Sequence, residues 1–162
     1  MPTTKEKDAC DLLDADHRAV KKLFKEYEEL SASRARAAVA RKRELALQIC
    51  TELTVHAQIE EEIFYPALRD AIKETDLLAE AEVEHQSAKD LIAQIEAMDA
   101  DESHFNAKVK VLGEMIDHHV TEEREKMFPQ ARSSGLDLAG MVPALQERKA
   151  QLMQEMGEGV AA

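Results

Sequence analysis

His56-Ala-Gln-Ile-Glu60-Glu61-Glu62-Ile-Phe-Tyr-Pro66 is answered further along the chain by His119-Val-Thr-Glu122-Glu123-Arg-Glu-Lys-Met127-Phe128-Pro129. In both stretches a glutamate follows the histidine by four residues and a proline follows it by ten. Residues i and i+4 share one face of a helix, one turn apart. Upstream, Leu45, Ile49 and Leu53 lead into His56, and Val109, Leu112 and Ile116 lead into His119, at steps of three and four. That is the period of an amphipathic helix. The histidines and glutamates therefore stand on the apolar stripe, where leucine or isoleucine belongs. Pro66, inside its helix, predicts a kink or one loosened turn, because proline has no N–H and its ring clashes with the preceding turn.

The same period extends to the rest of the chain. Helix A runs from about Asp8 to Leu30, with Leu13, His17, Val20, Phe24 and Tyr27 on its stripe. Helix B follows the Ser31-Ala-Ser33 break and reaches about Lys73, with Ile63 and Ala67 continuing the stripe beyond Glu60. Helix C opens at Thr75-Asp76, both suited to an N-cap, and carries Leu78, Ala81, His85, Ala88, Ile92 and Ile95. Helix D continues through Glu123 and Met127 and stops near Ser133-Ser-Gly135, where glycine suits the residue after a helix end. A fifth, shorter helix is expected from about Leu138 to Met156. Asp16-His17-x3-Lys21 in helix A is matched by Glu84-His85-x3-Lys89 in helix C. The chain thus reads as two similar helical hairpins. The expected fold is all-α: an up-down-up-down four-helix bundle over residues 8–132, with residues 133–162 forming a short C-terminal helix and tail.

Composition narrows the function. The chain has 162 residues, enough for one domain, and 5 Gly, 4 Pro and no Trp argue against an all-β fold. Lys+Arg of 21 against Asp+Glu of 33 leaves a net charge of −12, which disfavours nucleic acid and anionic membranes as partners. No run approaches the ~18 apolar residues of a membrane span. Cys10 and Cys50 form no framework and no CxxC pair, and the N-terminus lacks a signal-peptide core, so a cytoplasmic protein with buried thiols is expected.

Six stripe residues carry the chemistry: His17, His56, Glu60, His85, His119 and Glu123. Facing only hydrocarbon they would be costly to bury. A shared cation removes that cost by offering each imidazole lone pair an acceptor and each carboxylate a positive charge. An all-nitrogen-and-oxygen donor set suits iron or manganese, with zinc as a further candidate. Two carboxylates able to bridge point to two metals. His118, beside His119, lies ~100° off the stripe and is expected to face away. His104 is expected to face solvent, and Glu61, Glu62 and Glu122 to be solvated. Tyr27 and Tyr65 read as packing residues.

On Asp16-His17-Arg18, His56 to Pro66, Glu84-His85 and His119 to Pro129, the chain resembles the hemerythrin-like family of histidine–histidine–glutamate cation-binding domains. The resemblance covers about residues 10–130. It implies a bundle holding two non-haem irons, oxo- or hydroxo-bridged, with His17, His56, His85 and His119 as ligands and Glu60 and Glu123 as bridging carboxylates. Oxygen-carrying members have a second histidine one turn after the third-helix ligand, where this chain has Lys89, and an aspartate at five residues where this chain has a glutamate at four. The chain is more similar to the bacterial type with four histidines and two glutamates. That type leaves about one open position on each six-coordinate metal. The resemblance implies binding of dioxygen or related oxidants, for oxygen and redox sensing, carriage or detoxification. Two alternatives stay open: an enzyme acting on hydrogen peroxide or nitric oxide, and an interaction protein whose metal state is read by a signalling partner, with the fifth helix as its surface.

Overall fold

In the computed structural model, which describes residues 7–161, the helices are α1 (Ala9–Leu30), α2 (Arg36–Ile59), α3 (Tyr65–Arg69), α4 (Asp76–Glu96), α5 (Phe105–Glu122), α6 (Phe128–Ser133) and α7 (Val142–Ala161). No strand occurs among the described residues. Asp8 starts α1 with a capping box: its carboxylate accepts from the Asp11 N–H at 2.8 Å, and the Asp11 side chain accepts from the Asp8 N–H at 3.3 Å. Thr75 does precede α4, but its side chain caps nothing. Gly135 follows the end of α6 with φ of +84°, the left-handed conformation that glycine adopts without strain.

α2 and α3 are one rod joined by a π-helical turn, Glu60–Phe64, and α5 and α6 are joined the same way by Glu123–Met127. Each turn ends just ahead of a proline, Pro66 or Pro129. Proline cannot donate, and its ring would meet the carbonyl four residues back, so the preceding turn widens. The Tyr65 N–H accordingly bonds the Glu60 carbonyl, and that of Phe128 bonds the Glu123 carbonyl. One extra residue in the turn advances the stripe by one. Phe64 and Leu68 are buried below Glu60, rather than Ile63 and Ala67 as strict helical period predicted, and Tyr65 turns inward with them. Helix B also ends at Arg69, short of Lys73.

α1 packs on α2 and α5, and α4 packs on α2 and α5, closing the four-helix ring in up-down-up-down order. The fifth helix begins at Val142, four residues after the expected start, and lies against α2 and α1. Two apolar layers fill the bundle. One holds Leu13, Ile59, Phe64, Leu68, Leu78 and Phe128, joined by Leu145 and Leu152 of α7. The other holds Val20, Leu53, Ile92, Ile95, Phe105 and Leu112. Between them runs one polar layer. No helix among the described residues is long and apolar enough to cross a membrane.

Candidate metal centre

Each rod contributes to the polar layer at one level. Along α1 the order is Leu13, His17, Val20; along α4 it is Ala81, His85, Ala88. α2 supplies His56 and α5 supplies His119, with Glu60 and Glu123 following at the first residue of each π-turn. All six side chains are buried, the two glutamates at 0% and 1% exposure. The widened turns begin at the glutamates themselves, a placement typical of π-turns at functional sites.

The six converge as two imidazole pairs joined by two carboxylates. His17 and His56 face each other with Nε2 atoms 3.1 Å apart, and His85 and His119 at 3.3 Å. Glu60 Oε1 lies 3.2 Å from His56 Nε2 and 3.3 Å from His85 Nε2. Glu123 Oε1 lies 3.2 Å from His17 Nε2 and 3.3 Å from His119 Nε2. Each carboxylate therefore reaches one histidine of each pair. Candidate cation groups form on both sides, His17–His56–Glu60–Glu123 and Glu60–His85–His119.

The outer nitrogens are held by a second ring of carboxylates. His56 Nδ1 donates to Asp16 at 3.0 Å, His85 Nδ1 to Glu61 at 2.8 Å and His119 Nδ1 to Glu84 at 3.0 Å. A carboxylate only accepts, so these contacts keep a proton on Nδ1 and turn Nε2 inward toward Glu60 and Glu123. His17 Nδ1 stands 3.7 Å from Asp14, too far for a hydrogen bond. The acids next to His17 and His85 in sequence do not serve those histidines: Asp16 holds His56, and Glu84 holds His119. Neighbouring residues on a helix point ~100° apart, so each acid faces the next helix. Glu61, expected in solvent, holds both His85 and, at 2.7 Å, Lys89. Lys89 thus anchors the partner of His85. Lys149 of α7 reaches Asp16 at 2.5 Å, and Arg148 binds Glu62 at 2.9 and 3.2 Å, so the fifth helix touches the outer ring at two points.

The buried carboxylates draw positive charge to the centre, and without a metal protons on the histidines supply it. Burial works to lower the pKa of His119, but the Glu123 charge and hydrogen bond, with Glu60 and Glu84, outweigh it and raise the value to about 10. His56 is raised well above its ordinary value against the same burial by Glu60 and Asp16. Asp16 is held below the ordinary carboxylate range, burial being overcome by His56 and Lys149. Both Glu60 oxygens and Glu123 Oε1 find no hydrogen-bond partner among the described residues. Buried carboxylate oxygens facing imidazole Nε2 atoms, whose protons a metal would displace, form the donor set of a nitrogen-and-oxygen metal site. The residues fit such a group.

Tyr65, which sequence periodicity assigned to packing, enters the centre because the π-turn rotates it inward. Its Oη donates to Glu123 Oε2 at 3.0 Å and lies 3.3 and 3.4 Å from His85 and His119 Nε2. Burial, followed by the Glu123 and Glu60 charges, pushes its pKa well up, so the phenol keeps its proton. The residue at the matching position of the repeat is Phe128, which stacks parallel to His17 with centroids 6.2 Å apart. The repeat is symmetric in its candidate ligands and asymmetric here. Tyr27 instead bonds Asn106, remote from the centre.

The family model for the hemerythrin HHE cation binding domain matches residues 8–131, a span that contains all six residues. The chain belongs to this family. A solved hemerythrin HHE cation binding domain-containing protein from Mycobacterium kansasii superposes with a TM-score of 0.70 over 95% of this chain and 90% of that one. At 22% identity it shows the shared hemerythrin fold. A Nostoc sp. protein named DNA nickase is 30% identical over 124 residues, 76% of this chain and 33% of its own length. The present chain spans about a third of that relative.

Within this hemerythrin domain His119 and His118 part company as helical phase requires. The His119 side chain is 7% exposed and that of His118 is 68% exposed, the latter 3.4 Å from Glu122 and 3.7 Å from Glu84 at the surface. His119→Ala is expected to lower metal affinity by about 100-fold or more, above the effect of losing an outer partner. His118→Ala should leave metal content unchanged. Metal analysis of the two purified variants checks this, and the reverse pattern would overturn the helix register.

Proposed function

We propose that the bundle of residues 8–132 holds two non-haem irons and binds dioxygen or a related small oxidant. The observation that carries this reading is the bridging geometry: each of Glu60 and Glu123 stands within 3.3 Å of one histidine from each pair. In this reading His17 and His56 hold one iron and His85 and His119 the other, with both glutamates shared. Such a pair supplies two coupled one-electron redox centres that can bind and reduce an oxidant. The protein's part is to fix the donors. Asp16, Glu61 and Glu84 set the imidazole tautomers, and the apolar layers above and below keep bulk water out. We place the protein in the cytoplasm, a compartment suited to the unpaired, buried Cys10 and Cys50, whose thiols burial pushes up to about 12. The net charge of −12 works against a polyanionic substrate such as the DNA in the name of the Nostoc relative.

Anaerobic iron reconstitution followed by optical titration with dioxygen, peroxide and nitric oxide tests the reading. The expected result is two irons per chain and a new absorption band with at least one of the three. One iron per chain, or no band with any of them, would count against it.

Tyr65 favours the peroxide- or nitric-oxide-reactive alternative over plain carriage. A phenol that keeps its proton within 3.4 Å of two inward nitrogens can hold or pass a proton at Oη when an oxygen–oxygen or nitrogen–oxygen bond changes order. Tyr65→Phe reproduces the Phe128 half of the repeat, so iron content should be retained. The spectral change driven by peroxide should slow by roughly tenfold or more. Stopped-flow absorbance checks this, and an unchanged rate would return the reading to simple binding.

A further inference from the structure

On the side of the polar layer opposite Tyr65, a cavity of about 190 Å³ lies between α1, α2, α4 and α5. All four histidines line its inner end. Glu60, Glu123 and Tyr65 do not, so the carboxylates close one side of the centre and the cavity adjoins the other. Its walls are apolar, with Val20, Leu53, Ala88, Ile92, Met115 and Ile116 among them. Val83, 67% exposed, marks its rim. The charged groups on the wall already have partners of opposite sign: Lys89 with Glu61, Asp16 with Lys149, Glu84 with His119.

Size and polarity together define what this space accepts. A water takes a ~30 Å³ share of liquid, so a diatomic ligand would occupy a small part of it. A closed apolar cavity of ~150 Å³ takes a benzene-sized guest; this space is of similar size, with its mouth at the exposed Val83 and His118. We infer that the chamber is a binding site for a neutral organic molecule of roughly six to eight non-hydrogen atoms, its apolar body against the aliphatic walls. An oxygen-bearing end directed at the imidazoles rests on the metal reading above; binding of the apolar body does not. The substrate class that satisfies both is an organic peroxide or alcohol with a short alkyl or aryl body, rather than hydrogen peroxide alone.

1-Hexanol is the probe, added to zinc-loaded and metal-free protein carrying 13C-methyl-labelled methionine. Met115 lies on the wall, and Met153, on α7, packs against the opposite apolar layer. Met115 should shift saturably with hexanol and Met153 should not. Ala88→Leu and Ile116→Phe fill the space from facing helices, and each should raise the dissociation constant at least tenfold. A Met115 resonance unmoved up to the solubility limit overturns the inference, as does equal affinity in the filled variants. The Met115 arm needs no variant, so it decides even if both substitutions unfold the chain. Hexanol binding to a protein that takes up no metal would sink the metal reading and leave this one standing. Two tightly bound metals with no hexanol binding would do the opposite.

Discussion

Glu60→Ala and Glu123→Ala are expected to lose at least one metal per chain each, the largest effect of any single substitution in the bundle. Each carboxylate stands within 3.3 Å of an imidazole from both pairs, so on the proposed two-metal reading removing either would weaken both positions together. Substituting a residue that merely orients a ligand costs about 10–100-fold in metal affinity. A shared ligand should exceed that, by about 100-fold or more at the weaker position. Glu61→Ala provides the calibration. It removes the partner of His85 Nδ1 and should fall within the 10–100-fold range while still loading fully at high metal concentration. Glu122→Ala should load like the parent, because among the described residues Glu122 pairs with the exposed His118 and not with the central six. Metal content after desalting, together with competition against a chelator, ranks the four variants. Loss of metal from Glu122→Ala with Glu123→Ala intact would mean that the register of α5 is wrong.

The six central residues were legible because helical period and repeat agreed on them. Each interrupted a stripe, and buried polar residues in phase with apolar ones require an explanation. Three features were not legible, for different physical reasons. The outer ring depends on which helix neighbours which. Asp16 holds His56 and Glu84 holds His119 across helices, and the sequence places each acid beside another histidine. Tyr65 depends on the width of one turn. A strict step of 3.6 residues leaves it off the stripe, and only the π-turn that Pro66 enforces brings Oη to Glu123. Recurrence of His-x3-Glu-x5-Pro was the available signal, since a proline at a fixed distance in both hairpins implies the same widened turn in both. The link from α7 was out of reach altogether, because nothing local in Arg148-Lys149 indicates Glu62 and Asp16 as their partners.

Stripping the metal should lower the melting temperature by about 8–16 °C. The polar layer sets the direction. In the folded chain Glu60 and Glu123 are 0% and 1% exposed, and three of their oxygens lack hydrogen-bond donors among the described residues. Unfolding returns those oxygens to water, which solvates them fully, so a cation that compensates them in the bundle stabilises the native state alone. Mass action sets the size. A ligand specific to the native state at ~1,000 times its dissociation constant contributes about 4 kcal/mol. For a chain of 150–250 residues each kcal/mol moves the midpoint by about 2–4 °C. Calorimetry of metal-loaded and chelator-treated protein tests the sum. The same pair of scans on Glu60→Ala separates cause from coincidence. That variant has one buried carboxylate fewer and binds metal weakly, so its midpoint should respond to chelation by a much smaller amount. A parent midpoint that ignores chelation would mean that the protein's own contacts already satisfy the polar layer, and the bridging reading of Glu60 and Glu123 would fall with it.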